Sequence, residues 1–143
     1  MKPTIRNISA MGYAQNNAFF EADKNFVEYI EEATGIKFRK NQNSNSWYGV
    51  KDSKVIRISD HFNKKTDQEK FFFNQDADYI VAKINGTNPF GRFSDGDSIT
   101  HVRLGVITFL SYVAEEGYVE ARLKDGSVHR YDEDRFAIAE NFN

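Results

Sequence analysis

The chain has 143 residues, no cysteine and a formal net charge of −2, and 40% of its residues are hydrophobic. This size and composition favour a single folded domain over residues 1–143. The lack of cysteine excludes disulfides, thiolate catalysis and cysteine-ligated zinc. The sequence shows neither a signal-peptide pattern nor an apolar run long enough to cross a membrane. We therefore expect a soluble, cytoplasmic protein with no membrane partner.

The charged residues are unevenly distributed along the chain. Residues 35–70 carry nine basic and four acidic side chains, whereas residues 71–143 carry seven basic and twelve acidic ones. A basic segment attracts nucleic acid or other anionic partners. It can equally serve only to keep strands and loops soluble, so both interpretations stay open.

The first part of the chain predicts an arm, a helix and a strand. Residues 1–12 are mostly polar and predict a loose N-terminal arm, with an edge strand over residues 1–10 as the alternative. Apolar residues at i, i+3 and i+4 spacing predict an amphipathic helix over residues 17–34, which Gly35 ends because glycine tolerates the left-handed cap conformation. The alternation of apolar and basic residues over residues 36–40 is typical of a strand.

Residues 46–62 predict two strands joined by a turn, and the second strand has an unusual polar face. Strand side chains alternate between the two faces of a sheet. Arg57, Ser59 and His61 therefore share one face, opposite a face of two isoleucines that packing explains. In one interpretation this polar face is structural, and Arg57 pairs with a carboxylate from the acidic half of the chain.

In the other interpretation the polar face binds an anion or a partner protein, since arginine and aromatic rings dominate such surfaces. Whether Tyr48 joins this face depends on the hairpin register, which the sequence leaves open. The candidate binding residues are Trp47, Tyr48, Lys54, Arg57, Ser59, His61 and Lys64.

The second half of the chain predicts a strand, a helix and a hairpin. Residues 78–84 are rich in β-branched and aromatic residues and predict a strand. Residues 99–116 are apolar around much of a helical circumference and predict a buried helix, with an N-cap at residues 97–98. Residues 118–123 and 128–131 predict strands joined by an Asp-Gly turn. The predicted fold class is α+β, with an antiparallel sheet of about five to six strands packed against two helices.

The sequence shows no strong catalytic or metal-binding pattern. His61, His101 and His129 lack the short spacing that metal ligands usually have. Asp60 falls on the opposite strand face from Ser59 and His61, which argues against a catalytic triad within that strand. We therefore expect no metal, no cofactor and no catalytic residue.

Three short motifs follow one another in the chain: Ser46-Trp47-Tyr48, Arg57-Ile58-Ser59-Asp60-His61 and Tyr79-Ile80-Val81. This order, over about residues 46–84, resembles a module in small proteins of bacteriophages and other mobile elements. They include the anti-CRISPR proteins that inhibit the Cas9 nuclease. The resemblance implies a non-enzymatic phage accessory protein that evades host defence. Its partner would be a host defence protein or ribonucleoprotein complex in the host cytoplasm.

Two other functions compete with this one. The first is a nucleic-acid-binding module that uses the basic segment 35–70, with Trp47, Tyr48 and Phe62 as stacking groups. The second is a small enzyme acting on a nucleotide or protein substrate, with Arg57 and His61 in its site. The host target and the oligomeric state are open at this point.

Overall fold

The structure, a computed structural model, describes residues 16–42, 46–59, 69–72 and 75–137. In this part of the chain two helices are present, α1 (Asn16–Thr34) and α2 (Ala77–Asn85). The strands are β1 (Arg39–Lys40), β2 (Ser46–Lys51), β3 (Lys54–Ser59), β4 (Glu69–Phe72), β5 (Ser98–His101), β6 (Gly105–Val113), β7 (Tyr118–Arg122) and β8 (Val128–Asp132). A 3-10 helix, Glu133–Arg135, follows the last strand. The predicted arm at residues 1–12 lies outside the described residues.

The described strands form two four-stranded sheets, ordered β1-β2-β3-β4 and β5-β6-β7-β8. In the first sheet β1, β2 and β3 are antiparallel neighbours, and β4 runs parallel to β3. The second sheet is an antiparallel meander. The predicted α+β class is confirmed, and of the two helices in the described residues the first lies where a helix was predicted. The expectation of one antiparallel sheet of five to six strands is wrong, because the chain divides its strands between two sheets.

One apolar cluster contains buried side chains from both helices and both sheets. Its members include Phe26, Val27 and Ile30 of α1, Ile56 and Ile58 of β3, Ile80 and Ile84 of α2, and Ile107, Phe109 and Val119 of the second sheet. The two isoleucines of β3 are thus core residues, as the alternation predicts. The opposite face of β3 is left for the polar side chains.

The predicted hairpin at residues 46–62 is present as β2 and β3. Asp52 and Ser53 form its turn with positive φ angles of 51° and 66°. Gly49, in the middle of β2, lies against the chain that follows α1. A Cβ atom at this position would lie 2.7 Å from Cγ2 of Ile36 and 3.0 Å from the ring of Phe38. Glycine therefore lets the sheet approach these two core side chains.

The prediction of a strand at residues 78–84 is wrong, because this segment lies in α2. Asp76 is its N-cap and accepts a hydrogen bond from the backbone N–H of Asp78 at 2.8 Å. Gly86, with φ 74°, ends the helix in the left-handed conformation. Buried isoleucines four residues apart lie on one side of it. Capping and burial at helical spacing outweigh the β propensity of the sequence.

The prediction of a helix at residues 99–116 is also wrong, because most of this segment forms β5, β6 and the turn between them. Gly105 has φ 77° where the chain reverses. Ile107 and Phe109 are buried with a half-buried residue between them, which is the period of a strand rather than of a helix. Asp97 does not cap a helix; its Oδ2 accepts the backbone N–H of Ser94 at 2.8 Å. The predicted hairpin at residues 118–131 is confirmed as β7 and β8.

Candidate binding site

The register of β2 and β3 brings four polar or aromatic side chains together. Ser46 lies opposite Ser59, and Tyr48 lies opposite Arg57. Residues opposite each other in an antiparallel pair share a face. These four residues therefore occupy the face that points away from the buried isoleucines. We refer to them as the Arg57 cluster.

The guanidinium group of Arg57 is held by two serine hydroxyls. Its Nε and Nη2 atoms donate to Oγ of Ser46 at 3.1 and 2.8 Å, and Nη2 also donates to Oγ of Ser59 at 3.4 Å. The Ser46 hydroxyl donates to Oγ of Ser59 at 3.1 Å. The Cζ atom of Arg57 lies 5.7 Å from the ring centroid of Tyr48, within cation–π range.

The two serines are buried, with exposed fractions of 0% and 2%, whereas Arg57 and Tyr48 are half-buried. Hydrogen bonds to a charged group contribute about 1.5–3 kcal/mol each, so the serines strongly restrict the arginine rotamer. A side chain that is ordered before binding loses less entropy when it contacts a partner. The cluster therefore presents a positioned guanidinium group beside an aromatic ring.

The prediction that Arg57 pairs with a carboxylate is wrong within the described residues. The ion pairs seen there join Lys83 to Glu133 and Arg130 to Glu120. Arg57 is bound instead by neutral hydroxyls. Hydroxyls orient the guanidinium without cancelling its charge, so the cluster keeps a positive charge that can attract an anionic group.

The remaining predicted binding residues do not join the cluster. Trp47 lies on the other face of β2 and packs against the apolar core. Lys54 is exposed at the hairpin end of β3, and alternation places it on the Trp47 face. His61 and Lys64 lie outside the described residues, so their participation stays a prediction.

Ser46 was missing from the candidate binding residues, although it contributes the most hydrogen bonds to Arg57. Its position two residues before Tyr48 is the local signal, since alternation puts both on one face. What the sequence could not supply is the register that places Ser46 opposite Ser59.

A row of residues crosses the whole first sheet at the position of the Arg57 cluster. Arg39 of β1 lies opposite Tyr48, Tyr48 opposite Arg57, and Arg57 opposite Lys70 of β4. From β1 to β4 the row contains a basic, an aromatic, a basic and a second consecutive basic residue. Basic residues interleaved with an aromatic residue are typical of surfaces that bind single-stranded nucleic acid.

A second polar cluster surrounds the buried carboxylate of Glu133. Its Oε1 accepts hydrogen bonds from the hydroxyl of Tyr79 at 2.6 Å and from Nζ of Lys83 at 2.7 Å, and its Oε2 accepts from the hydroxyl of Tyr112 at 2.8 Å. The Tyr79 hydroxyl also lies 3.2 Å from Oδ1 of Asp134. The contacts join α2, β6 and the 3-10 helix.

Burial acts to raise the pKa of Glu133, but the hydrogen bonds from Lys83, Tyr79 and Tyr112 outweigh it and hold this pKa below its usual value. Burial and the same carboxylate raise the pKa values of both tyrosines. Both oxygens of Glu133 are occupied by donors within the protein. The cluster therefore connects α2, β6 and the 3-10 helix, and we do not assign it a role as a catalytic acid or base.

Among the described residues, no grouping of three or more histidine, aspartate and glutamate side chains could hold a metal ion. In the same part of the chain no helix has the length and apolar composition needed to cross a membrane. No protein-family model, curated protein or solved structure matches this chain. A functional proposal must therefore start from the residues of the Arg57 cluster.

Proposed function

We propose that the protein is a non-enzymatic accessory protein of a phage or mobile element that binds and inhibits a host defence complex in the host cytoplasm. The proposed target class is a ribonucleoprotein nuclease such as Cas9 with its guide RNA. The observation that carries this proposal is the convergence of two motifs of the resemblance on one guanidinium. Ser46 and Tyr48 from the first motif contact Arg57, which belongs to the second.

The physical properties of the Arg57 cluster support a role in recognition. Arginine and tyrosine are enriched among the residues that contribute most to binding free energy at protein interfaces. The two buried serines hold the guanidinium in one orientation, which lowers the entropy lost on binding. The uncancelled charge suits a complex that exposes phosphates or acidic side chains, because guanidinium groups bind both through paired hydrogen bonds.

The proposal is tested by adding the purified chain to a panel of assembled CRISPR nucleases, with Cas9–guide complexes first, and measuring cleavage of a target DNA. We expect inhibition of at least one complex and co-elution with it in size-exclusion chromatography. Arg57→Ala should weaken this binding about tenfold or more, as expected for a central interface arginine.

The matched control is Arg122→Ala, which removes the same charge from an exposed position in the second sheet. It should inhibit as well as the wild-type chain. Full cleavage by every complex in the presence of folded protein would contradict the proposed function. Equal losses in the two variants would contradict the assignment of binding to the Arg57 cluster.

Nucleic-acid binding is a second candidate function, and the basic–aromatic row across the first sheet favours it. Tyr48 would stack on a base while Arg39 and Arg57 contact the backbone phosphates. Labelled single-stranded DNA and RNA would be titrated with the protein at increasing salt. Affinity that falls steeply with salt and is lost in Tyr48→Ala supports this function. No binding at about 50 mM salt rules it out, because electrostatic contacts are strongest there.

A further inference from the structure

A cavity of about 470 Å³ lies beside the second sheet, away from the Arg57 cluster. It is lined by β5, the turn at residues 102–105, the loop at residues 89–93, the start of α2 and the 3-10 helix. Backbone hydrogen bonds hold two of its walls together. The N–H of Val102 donates to the carbonyl of Arg135 at 2.9 Å, and the N–H of Asp76 donates to that of Ala137 at 2.7 Å.

Three arginines, Arg92, Arg103 and Arg135, are among the residues that line this cavity. None of them takes part in an ion pair within the described residues. Residues 71–143 carry seven basic against twelve acidic side chains, yet three of the seven lie around one space. Asp76 is the acidic residue among the described lining residues, and it already accepts the N–H that starts α2. The lining is therefore cationic, with an excess of two positive charges.

His101 adds a neutral donor to this cationic lining. Its Nδ1 accepts the backbone N–H groups of Arg103 and Leu104 at 3.0 and 3.2 Å. A nitrogen that accepts hydrogen bonds carries no proton, so the proton of the neutral ring is on Nε2. Burial, with the charges of Arg135 and Arg103, lowers the pKa of His101 and keeps the ring neutral near pH 7. His101 lines the cavity, and the one donor of its neutral ring is the Nε2–H.

Aromatic side chains form the apolar part of the wall. Phe90 is buried, Phe93 and Phe136 are half-buried, and all three line the cavity. The Cζ atom of Arg92 lies 4.8 Å from the ring centroid of Phe93. The His101 ring packs edge-on against Phe136, with ring centroids 5.2 Å apart. Apolar walls with a few convergent polar groups are typical of small-molecule sites, which span about 300–1,000 Å³.

We propose that this cavity binds a mononucleotide, with the phosphate on Arg103, Arg135 and the Nε2–H of His101. A phosphate monoester carries a charge of about −1.5 to −2 near pH 7, which matches the excess charge of the lining. Guanidinium groups bind phosphate oxygens in pairs. The phenylalanine rings offer flat surfaces for a base, a contact that inorganic phosphate cannot make. The site shares no residue with the Arg57 cluster and does not depend on the proposed function.

Isothermal titration calorimetry at about 50 mM salt provides the test, because charge interactions are weakly screened there. The probes are adenosine monophosphate, adenosine and inorganic phosphate. We expect adenosine monophosphate to bind. Adenosine and inorganic phosphate should each bind with an affinity lower by about tenfold or more. The absence of binding by adenosine monophosphate, or equal affinity for all three probes, would overturn the proposal.

Variants locate the site. Arg103→Gln/Arg135→Gln, in which both changes fall on exposed side chains, should weaken binding of adenosine monophosphate about tenfold or more. Arg122→Gln removes a charge elsewhere in the second sheet and should leave the affinity unchanged. Far-ultraviolet circular dichroism checks that the double variant is folded. Unchanged affinity in that variant would overturn the assignment.

Backbone amide NMR of the wild-type chain gives an answer that needs no variant. Addition of adenosine monophosphate should shift the amide signals of residues 101–105 and 135–137, which surround the proposed phosphate position. Shifts confined to the first sheet would overturn the proposal, since they would place the nucleotide on the basic–aromatic row instead.

Discussion

Ser46 and Ser59 face each other across β2 and β3 with their hydroxyl oxygens 3.1 Å apart, and both accept hydrogen bonds from Arg57. The Ser46 hydroxyl uses one donor and two acceptor positions in this arrangement, which is its full capacity. The pair lies in a buried position, where an unmet hydrogen bond is costly. The two serines therefore both stabilise the hairpin and orient the guanidinium.

Replacing Ser46 with alanine should lower the free energy of unfolding by about 1–3 kcal/mol, because Arg57 loses its main acceptor. Ser46→Thr keeps the hydroxyl and tests whether the oxygen or the small volume matters. Urea denaturation followed by tryptophan fluorescence measures the change, since Trp47 is adjacent to the site. An alanine variant as stable as the wild-type chain would show that the serine is not an energetically important acceptor.

Replacing Gly49 with alanine should destabilise the fold by about 1–3 kcal/mol, because the new methyl group overlaps packed core atoms. Its Cβ would lie 2.7 Å from Cγ2 of Ile36. Gly91→Ala is the matched control, because the nearest atom to its added Cβ would be the carbonyl oxygen of Asn88 at 3.4 Å. Thermal unfolding of both variants measures the difference. Equal melting temperatures would mean that the sheet moves away from Ile36 without cost.

Replacing Glu133 with glutamine should cost about 2–3 kcal/mol, because Lys83 loses its charged partner. This is less than the 3–5 kcal/mol typical of breaking a fully buried ion pair, since Lys83 is 28% exposed. Glu120→Gln breaks the exposed pair with Arg130 and should cost less than about 1 kcal/mol. Chemical denaturation of both variants provides the comparison. If Glu133→Gln lost no more stability than Glu120→Gln, the role of Glu133 in connecting α2, β6 and the 3-10 helix would be contradicted.

Stability should also depend on pH through Glu133. The folded state holds the pKa of Glu133 below its ordinary value of 4.5, so the unfolded chain binds the proton more readily. The stabilisation is therefore present above about pH 4.5 and is lost as the pH falls through the folded pKa. Asp134 acts in the opposite direction, because partial desolvation and the neighbouring carboxylates of Glu133 and Asp132 raise its pKa. The difference in unfolding free energy between the wild-type chain and Glu133→Gln should shrink on acidification, and a constant difference would contradict this mechanism.

His101 predicts a second, milder pH effect. Its pKa lies below the ordinary value of 6.5 in the folded state, so the unfolded chain gains the proton first. The stabilisation is present above pH 6.5 and declines as the pH falls through the folded pKa. Burial lowers this pKa most, and the charges of Arg135 and Arg103 disfavour protonation further. His101→Asn, whose amide oxygen can still accept the turn N–H groups, should remove this decline. A stability curve that retains it would assign the effect to another group.

Several local patterns were sufficient to predict parts of the fold and of the site. The helix over residues 17–34 followed from apolar spacing, and the hairpins at residues 46–62 and 118–131 from alternation with turn residues between the strands. The grouping of Arg57 with Ser59 followed from alternation alone. Each of these predictions depends on residues that are close in sequence, so no tertiary contact was needed to make it.

Residues 78–116 show where the local patterns failed. The segment that became α2 is β-branched and aromatic, and the segment that became β5 and β6 is apolar around a helical circumference. Short apolar runs are compatible with the periodicity of a helix and with that of a strand. Whether each segment forms a helix or a strand depended on the caps Asp76 and Gly86 and on the chain reversal at Gly105. The cavity was not predicted, because part of its lining comes from β5 and from the turn at residues 102–105.

The sequence by itself thus determined the residue types of a polar strand face and the local elements that carry it. The tertiary structure decided which residues meet there. It placed Ser46 and Tyr48 beside Arg57, oriented Trp47 toward the core, and gave Arg57 two serine hydroxyls as acceptors. The reason is physical: alternation is a property of one strand, whereas register and side-chain partners depend on contacts between strands distant in the chain.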